Sequence, residues 1–327
     1  MSIVTSAIGR AIRRKAGLSW IAAAISVGIV AMAAATLYRV FDEIDYGRVV
    51  AALRAQSIGG LVLSGGFVVA GYLALICYDV FALRAIGRKD VPYRVAALAS
   101  FTSYTIGHNI GATIFTSGVI RYRVYSTCGL SVSEIGRIAF ITGLTYWLGN
   151  SFVLGCGITL APAAAGAIDR LPTVANRLIG LTALVALGGY MLWLLPRARG
   201  FGRSQWRITL PDPASTLVQI AIGSLDLILV ALAMYALLPT QPGIDFFELL
   251  VIFVTAMLIG IVSYVPGSLG VIEAAMFIGL PQFPREALLA SLLTFRVLYF
   301  VLPLLLAALL LGAREVRSLA AGVGRTV

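Results

Sequence analysis

Charge is scarce in this 327-residue chain. Only 12% of residues are Asp, Glu, Lys or Arg, against 60% hydrophobic. Soluble domains carry about 25% charged residues, so a water-soluble fold is excluded. The chain has one histidine, His108, and three cysteines, Cys77, Cys128 and Cys156. The odd, scattered cysteines form no C-x-x-C pair, which argues against a disulfide framework or a zinc site. No G-x-x-x-x-G-K-[ST] loop, G-x-S-x-G elbow or H-E-x-x-H pair occurs, and no span centre carries two carboxylates. ATP-driven, serine-hydrolase, metalloprotease and aspartyl-protease chemistry are therefore not expected. Lysine is nearly absent too, at positions 15 and 89 only, so the net charge of +11 is almost entirely arginine. The basic residues cluster in short loops between apolar runs, the pattern that orients membrane proteins, and nucleic-acid binding is not expected.

What is present is apolar run after apolar run. Six read as full spans: Leu18–Tyr38, Gly59–Leu83, Ile138–Leu160, Leu178–Leu195, Ala214–Leu238 and Ala287–Gly312. Each is about long enough for a hydrocarbon core of roughly 30 Å. Arg10, Arg13, Arg14 and Lys15 precede the first run, which exceeds a signal-peptide core and is expected to be an uncleaved span. Two further regions, 95–120 and 249–283, are apolar but interrupted, at Gly107-His108-Asn109-Ile110-Gly111 and at Tyr264-Val265-Pro266-Gly267-Ser268-Leu269-Gly270. The expected fold is an all-α polytopic membrane protein, a single domain over 1–327 with no soluble domain after the last span. Segment 45–57 is expected to be a short interfacial helix.

Loop charge assigns sides. The basic N-terminus, the loop with Arg84, Arg88, Lys89 and Arg94, the loop with Arg197, Arg199, Arg203 and Arg207, and the tail with Arg314, Arg317 and Arg325 read as cytoplasmic. Counting crossings between these loops forces 95–120 to enter and leave from the cytoplasmic side and 249–283 from the outside. Each is then a re-entrant hairpin, or each makes two complete crossings. Opposed hairpins are what an inverted repeat would produce, and broken segments in two halves of a membrane protein mark a transport site.

The ionisable groups at membrane depth are Asp79, His108, Asp226, Glu273 and Arg296. Such groups are costly there and face a bundle interior or water. Glu273 follows the Pro266-Gly267 break at the start of a new helix, where the dipole favours a carboxylate. Paired with Arg296, it either fixes the hairpin or, with Arg296 on a phosphate, meets a cationic head group. Asp226, in mid-span, is a second candidate for a cation. Asp79 is placed near a span end, snorkelling towards Arg84. His108 is either a packing residue or a ligand or base. Gly107 and Gly111 either pack helices closely or let backbone approach a head group; with His108, Asn109, Pro266, Gly267 and Gly270 they are the expected cavity or hinge residues of the breaks. Arg121 and Arg123 are either topogenic or phosphate ligands; if that stretch runs extended, both guanidiniums point the same way. No catalytic residue, metal or cofactor is assigned.

Three motifs carry a resemblance. Gly107-His108-Asn109-Ile110-Gly111 with Ser117-Gly118 and Arg121-Tyr122-Arg123-Val124-Tyr125, then Val265-Pro266-Gly267-Ser268-Leu269-Gly270-Val271-Ile272-Glu273-Ala274, then Leu293-Thr294-Phe295-Arg296 through Pro303, are similar in kind and order to the membrane half of bifunctional lysylphosphatidylglycerol flippase/synthetases (MprF). They resemble YbhN-like membrane proteins more loosely. Ser268 stands where the first family usually has glycine, and its C-terminal aminoacyl-transferase domain has no counterpart here. The resemblance implies flipping of aminoacylated phosphatidylglycerol, lysyl-phosphatidylglycerol foremost, from the inner to the outer leaflet of a bacterial cytoplasmic membrane, with resistance to cationic peptides. It makes phospholipids, a separate synthase and a second copy of the chain the expected partners. Two competing readings remain: an intramembrane lipid-modifying enzyme using His108 as base and Glu273 as acid, and a membrane scaffold for a synthase.

Overall fold

A computed structural model describes residues 27–39, 44–111, 113–195, 200–201, 208–209 and 211–323. Within them the fold is all-helical, apart from a two-residue strand pair, β1 (Gly200–Phe201) and β2 (Ile208–Thr209). The first helix, α1, covers Val27–Arg39; the rest of the predicted first span, and the basic residues before it, lie outside the described residues. Then follow α2 (Tyr46–Ala55), α3 (Ile58–Ala85), α4 (Tyr93–Ile110), α5 (Thr113–Tyr125), α6 (Val132–Leu160), α7 (Pro162–Asp169), α8 (Thr173–Leu194), α9 (Pro213–Tyr235), α10 (Phe246–Val262), α11 (Val271–Gly279), α12 (Arg285–Arg296) and α13 (Leu302–Val323). Among the described residues, five helices are long and apolar enough to cross a membrane: α3, α6, α8, α9 and the continuous α12–α13 rod. At 1.5 Å per residue, the 28 residues of α3 reach about 42 Å.

The polar residues punctuating the apolar runs set the helix starts. Asp45 caps α2, accepting the N–H groups of Gly47 and Arg48. The Ser57 hydroxyl caps α3 through Gly60. Ser131 and Glu134 form a reciprocal box at the start of α6. It begins this helix six residues before the apolar run does, because capping rather than hydropathy decides where a helix starts. Asp212 caps α9, with Pro213 in the first turn.

Two faces can be told apart. On one, Arg88 gathers Asp90, Glu134 and the Cys128 carbonyl, and Arg314 reaches Thr127. This joins the end of α3, the start of α4, the end of α5, the start of α6 and α13. On the other, Gln56 meets Thr294 and the Ser291 hydroxyl donates to the Leu237 carbonyl. This joins α2, the start of α3, the end of α9 and α12. Helices α4 and α5 form a hairpin rooted on the first, basic face. Helices α10 and α11 form a hairpin rooted on the second.

The walls are packed closely. A Cβ on Gly149 of α6 would fall 2.4 Å from the carbonyl carbon of Gly223 in α9, so the backbones touch and only glycine fits. The core, led by Phe253, Phe295, Met234, Leu249, Ile252 and Leu288, lies between α3, α9, α10 and α12.

Candidate functional site at the meeting of two hairpins

The two interrupted segments meet. Gly111, where α4 ends, has φ +82°, and a Cβ there would lie 3.1 Å from the Tyr264 carbonyl oxygen and 3.4 Å from Cα of Pro266. The tip of the basic-face hairpin thus abuts the break of the opposite one. In the second break, Tyr264, Gly267, Ser268 and Gly270 all have positive φ. Such backbone cannot bond to itself as a helix does, so its polar groups need other partners at membrane depth.

Glu273 and Arg296 supply them. One Glu273 carboxylate oxygen accepts the Gly270 N–H at 2.8 Å. Arg296, from the end of α12, donates to the Gly267 carbonyl at 2.9 Å and the Ser268 carbonyl at 3.2 Å. It also grips both oxygens of Glu273, with Nη2 at 2.8 Å and Nε alongside. Its guanidinium carbon stands 5.4 Å from the centre of the Phe300 ring. The guanidinium fork fits this mixture of carbonyl and carboxylate acceptors.

Between α12 and α13, residues Val297–Val301 form a π-helical turn, with the Leu302 N–H donating to Val297. Pro303 has no N–H to give the Tyr299 carbonyl four residues back. The Tyr72 hydroxyl donates to that carbonyl instead, at 3.0 Å, and Asn109 donates to the carbonyl of Phe300 at 3.3 Å and of Thr105 at 2.8 Å. His108 stacks on Tyr299 with ring centres 6.3 Å apart. The Gly107–Gly111 segment is therefore docked on the π turn, and Gly107 is buried.

The remaining predicted residues are distributed differently. Arg121 and Arg123 do not point the same way, because α5 is helical rather than extended; residues two apart on a helix diverge by about 200°. Arg121 turns inward and makes a bidentate pair with Asp79, with Nη2 2.8 Å and Nε 3.1 Å from its oxygens. The Tyr125 hydroxyl also donates to Asp79, at 2.8 Å, and the guanidinium lies 4.7 Å from the centre of the Tyr104 ring. Asp79 thus does not snorkel to Arg84; it faces inward and is fully buried. Arg123 is exposed at the basic face. Asp226 is buried on α9, away from the Glu273–Arg296 pair, and accepts the Tyr78 hydroxyl at 3.2 Å. A cavity opens at the surface elsewhere, at the basic end of α3. It measures about 280 Å³ and is lined by Arg84, Arg88, Lys89 and Tyr93 among others. Beside it, charge-assisted hydrogen bonds from Arg88 hold the Asp90 carboxyl below its ordinary range.

No family model matches the chain. Curated relatives do. Over 263 residues it is 32% identical to the uncharacterized protein slr0712 of Synechocystis sp., covering 80% of this chain and 81% of that one. Over 273 residues it is 29% identical to the inner membrane protein YbhN of Escherichia coli K12, covering 81% and 83%. The chain belongs to this YbhN-like family of membrane proteins. Both matches span most of the chain, and the resemblance to the MprF membrane half rests on the motifs alone.

Several working residues of this YbhN-like chain escape a reading of its sequence: Asp79 as the partner of Arg121, and Tyr72, Tyr78 and the π turn. Pro303 inside an apolar run was the available signal for the last, since it strands a carbonyl one turn earlier. Nothing local to Asp79 announces a partner 42 residues away.

Proposed function

We propose that this protein moves a phospholipid head group between the two leaflets of a bacterial inner membrane. The observation that carries the reading is the meeting of two hairpins, rooted on opposite faces, at a break held by Glu273 and Arg296. Such a junction offers one polar station that either face could reach while the lipid tails stay outside the bundle. Arg296 is the phosphate ligand and Glu273 the ligand of a cationic head group, each exchanging its partner for the lipid. Arg123 and the basic cavity beside Arg84, Arg88 and Lys89 gather anionic lipid at the face the positive-inside rule makes cytoplasmic. Gly107, His108, Asn109, Gly111, Pro266, Gly267 and Gly270 form the moving junction. Arg121 serves as a clamp on Asp79 rather than as a lipid ligand. The motif likeness to the MprF membrane half favours aminoacylated phosphatidylglycerol, lysyl-phosphatidylglycerol first, as the cargo, made by a separate synthase, with lowered surface charge and resistance to cationic peptides as the consequence.

The test is leaflet exchange of labelled lysyl-phosphatidylglycerol in vesicles carrying the purified protein. Arg296→Ala and Glu273→Ala are expected to abolish it. Unchanged exchange in both variants sinks the reading. Chemical turnover of lipid without nucleotide or tRNA would support an intramembrane enzyme instead, and co-purification of a synthase without exchange a scaffold. Orientation has its own check: a cysteine at position 129 should resist labelling from outside and one at position 245 should accept it.

A further inference from the structure

Asp226 has no share in that junction, yet it is the acidic side chain most in need of an explanation. It sits near the middle of α9, 5% exposed. Its Oδ2 accepts the Tyr78 hydroxyl, its Oδ1 has no partner, and no cationic side chain pairs with it among the described residues. A buried carboxylate in this condition costs several kcal/mol unless something neutralises it.

Its surroundings are titratable but uncharged. Tyr72 and Tyr78 face it from α3, Tyr146 from α6 and Tyr299 from the π turn. From α4, Tyr104 packs edge-on to Tyr78 with centres 6.0 Å apart, and His108, whose Nδ1 also lacks a partner, lies between Tyr104 and Tyr299. Beyond Tyr104 lies the Asp79–Arg121 pair, closed on itself, and beyond Tyr299 and Phe300 lies Arg296, held by Glu273. No group of three or more His, Cys, Asp or Glu suited to a metal ion occurs among the described residues. The arrangement is therefore one uncompensated carboxylate among packed tyrosine rings, with an imidazole stacked nearby on Tyr299.

We propose that Asp226 carries the proton that couples movement of the lipid to a transmembrane proton gradient. The proposal rests on the translocation reading. Oδ1 takes the proton, forming a neutral carboxylic acid, when the path is open to one side. It returns the proton to water when the path opens to the other, so one proton crosses per cycle and no other bond is made or broken. The Tyr78 hydroxyl holds Oδ2 in either state and leaves Oδ1 free to take and release the proton.

The test uses the full-length protein in vesicles, with two measurements. Infrared difference spectra against pH should show a protonated-carboxyl band that is lost in Asp226→Asn and displaced but retained in Asp226→Glu. Leaflet distribution of labelled lysyl-phosphatidylglycerol under imposed gradients should shift about tenfold per pH unit for one proton per lipid. In Asp226→Asn the distribution should ignore the gradient. A band unchanged in Asp226→Asn overturns the proposal. So does loss of the band on adding sodium at constant pH, which would mean that a metal cation sits there. Exchange in the wild type that ignores the gradient sinks the coupling and leaves translocation standing. No wild-type exchange under any gradient sinks both.

Discussion

Among the described residues, two buried arginine–carboxylate pairs lie within the helical bundle, and they are built for different duties. In Asp79–Arg121 the side chains are 0% and 3% exposed, and the groups that hold the pair are side chains, Tyr125 and Tyr104 among them. In Glu273–Arg296 they are 9% and 13% exposed, and much of the bonding goes to the backbone of a break. The first pair closes one helix against another. The second acts as the solvent for backbone that has no helix to satisfy it. A sealed pair whose partners are satisfied by each other has little left for a ligand, whereas a pair holding carbonyls can trade them for phosphate oxygens.

The largest effect expected is at the sealed pair. Asp79→Ala or Arg121→Ala leaves a charge buried without its partner, at about 3–5 kcal/mol. Thermal unfolding in detergent should show it, and Asp79→Leu combined with Arg121→Met should lose less than either single change. If the double variant is as unstable as the sum of the singles, the pair is not a closed unit. Arg296→Lys keeps the charge and loses the fork, so at least one of the Gly267 and Ser268 carbonyls goes without a donor, at about 1–3 kcal/mol. Its stability should fall less than that of Arg121→Lys, while leaflet exchange falls more.

At the junction itself, Gly111→Ala puts a Cβ against the Tyr264 carbonyl on backbone of positive φ. A loss of about 1–3 kcal/mol is expected, read as a lower midpoint of thermal unfolding. Ser268→Gly should do the opposite. Ser268 has φ +49°, and glycine accepts that conformation more readily than any L residue, so a gain of about 0.5–1 kcal/mol is expected. The smallest effect is at the basic face. The Asp90 carboxyl is held low by Arg88, so its contribution is present above the ordinary carboxylate range and is lost as pH falls through its lowered value. Protection factors of the amides at 86–92, with the intrinsic pH dependence of exchange divided out, should fall at acid pH in the wild type and be already low, and flat with pH, in Asp90→Asn.

The spans and the breaks could be read from the sequence because each has a local cause: twenty apolar residues in a row, or Gly and Pro where a helix would otherwise run. Glu273 and Arg296 could be matched because the apolar stretch from 249 to 313 carries only Glu273, Arg285, Glu286 and Arg296, and Arg285 and Glu286 sit at a helix start. What could not be read depends on rotation about helix axes. Arg121 and Arg123 part company because α5 is helical, and Asp79 finds Arg121 because α3 and α5 turn the right faces to each other. The contact of Gly111 with Tyr264 and Pro266 joins segments about 150 residues apart, and no periodicity encodes it. Asp226 was visible as a lone mid-span acid, but its ring of tyrosines comes from three other helical elements.

The π turn at 297–301 makes the length of the last helix a matter of counting. A π turn holds one residue more than the α turn it replaces, so α13 is set about 100° round from where an unbroken continuation of α12 would place it. Deleting one residue within 297–301 would leave composition and hydropathy almost unchanged and yield a more regular helix. Because the α turn needs one residue fewer, every later side chain would keep its facing, and Arg314 would stay beside Thr127. A single-codon deletion there is thus milder for the rest of the helix than the same deletion in a regular stretch of α12 or α13, which would turn every later side chain by about 100°.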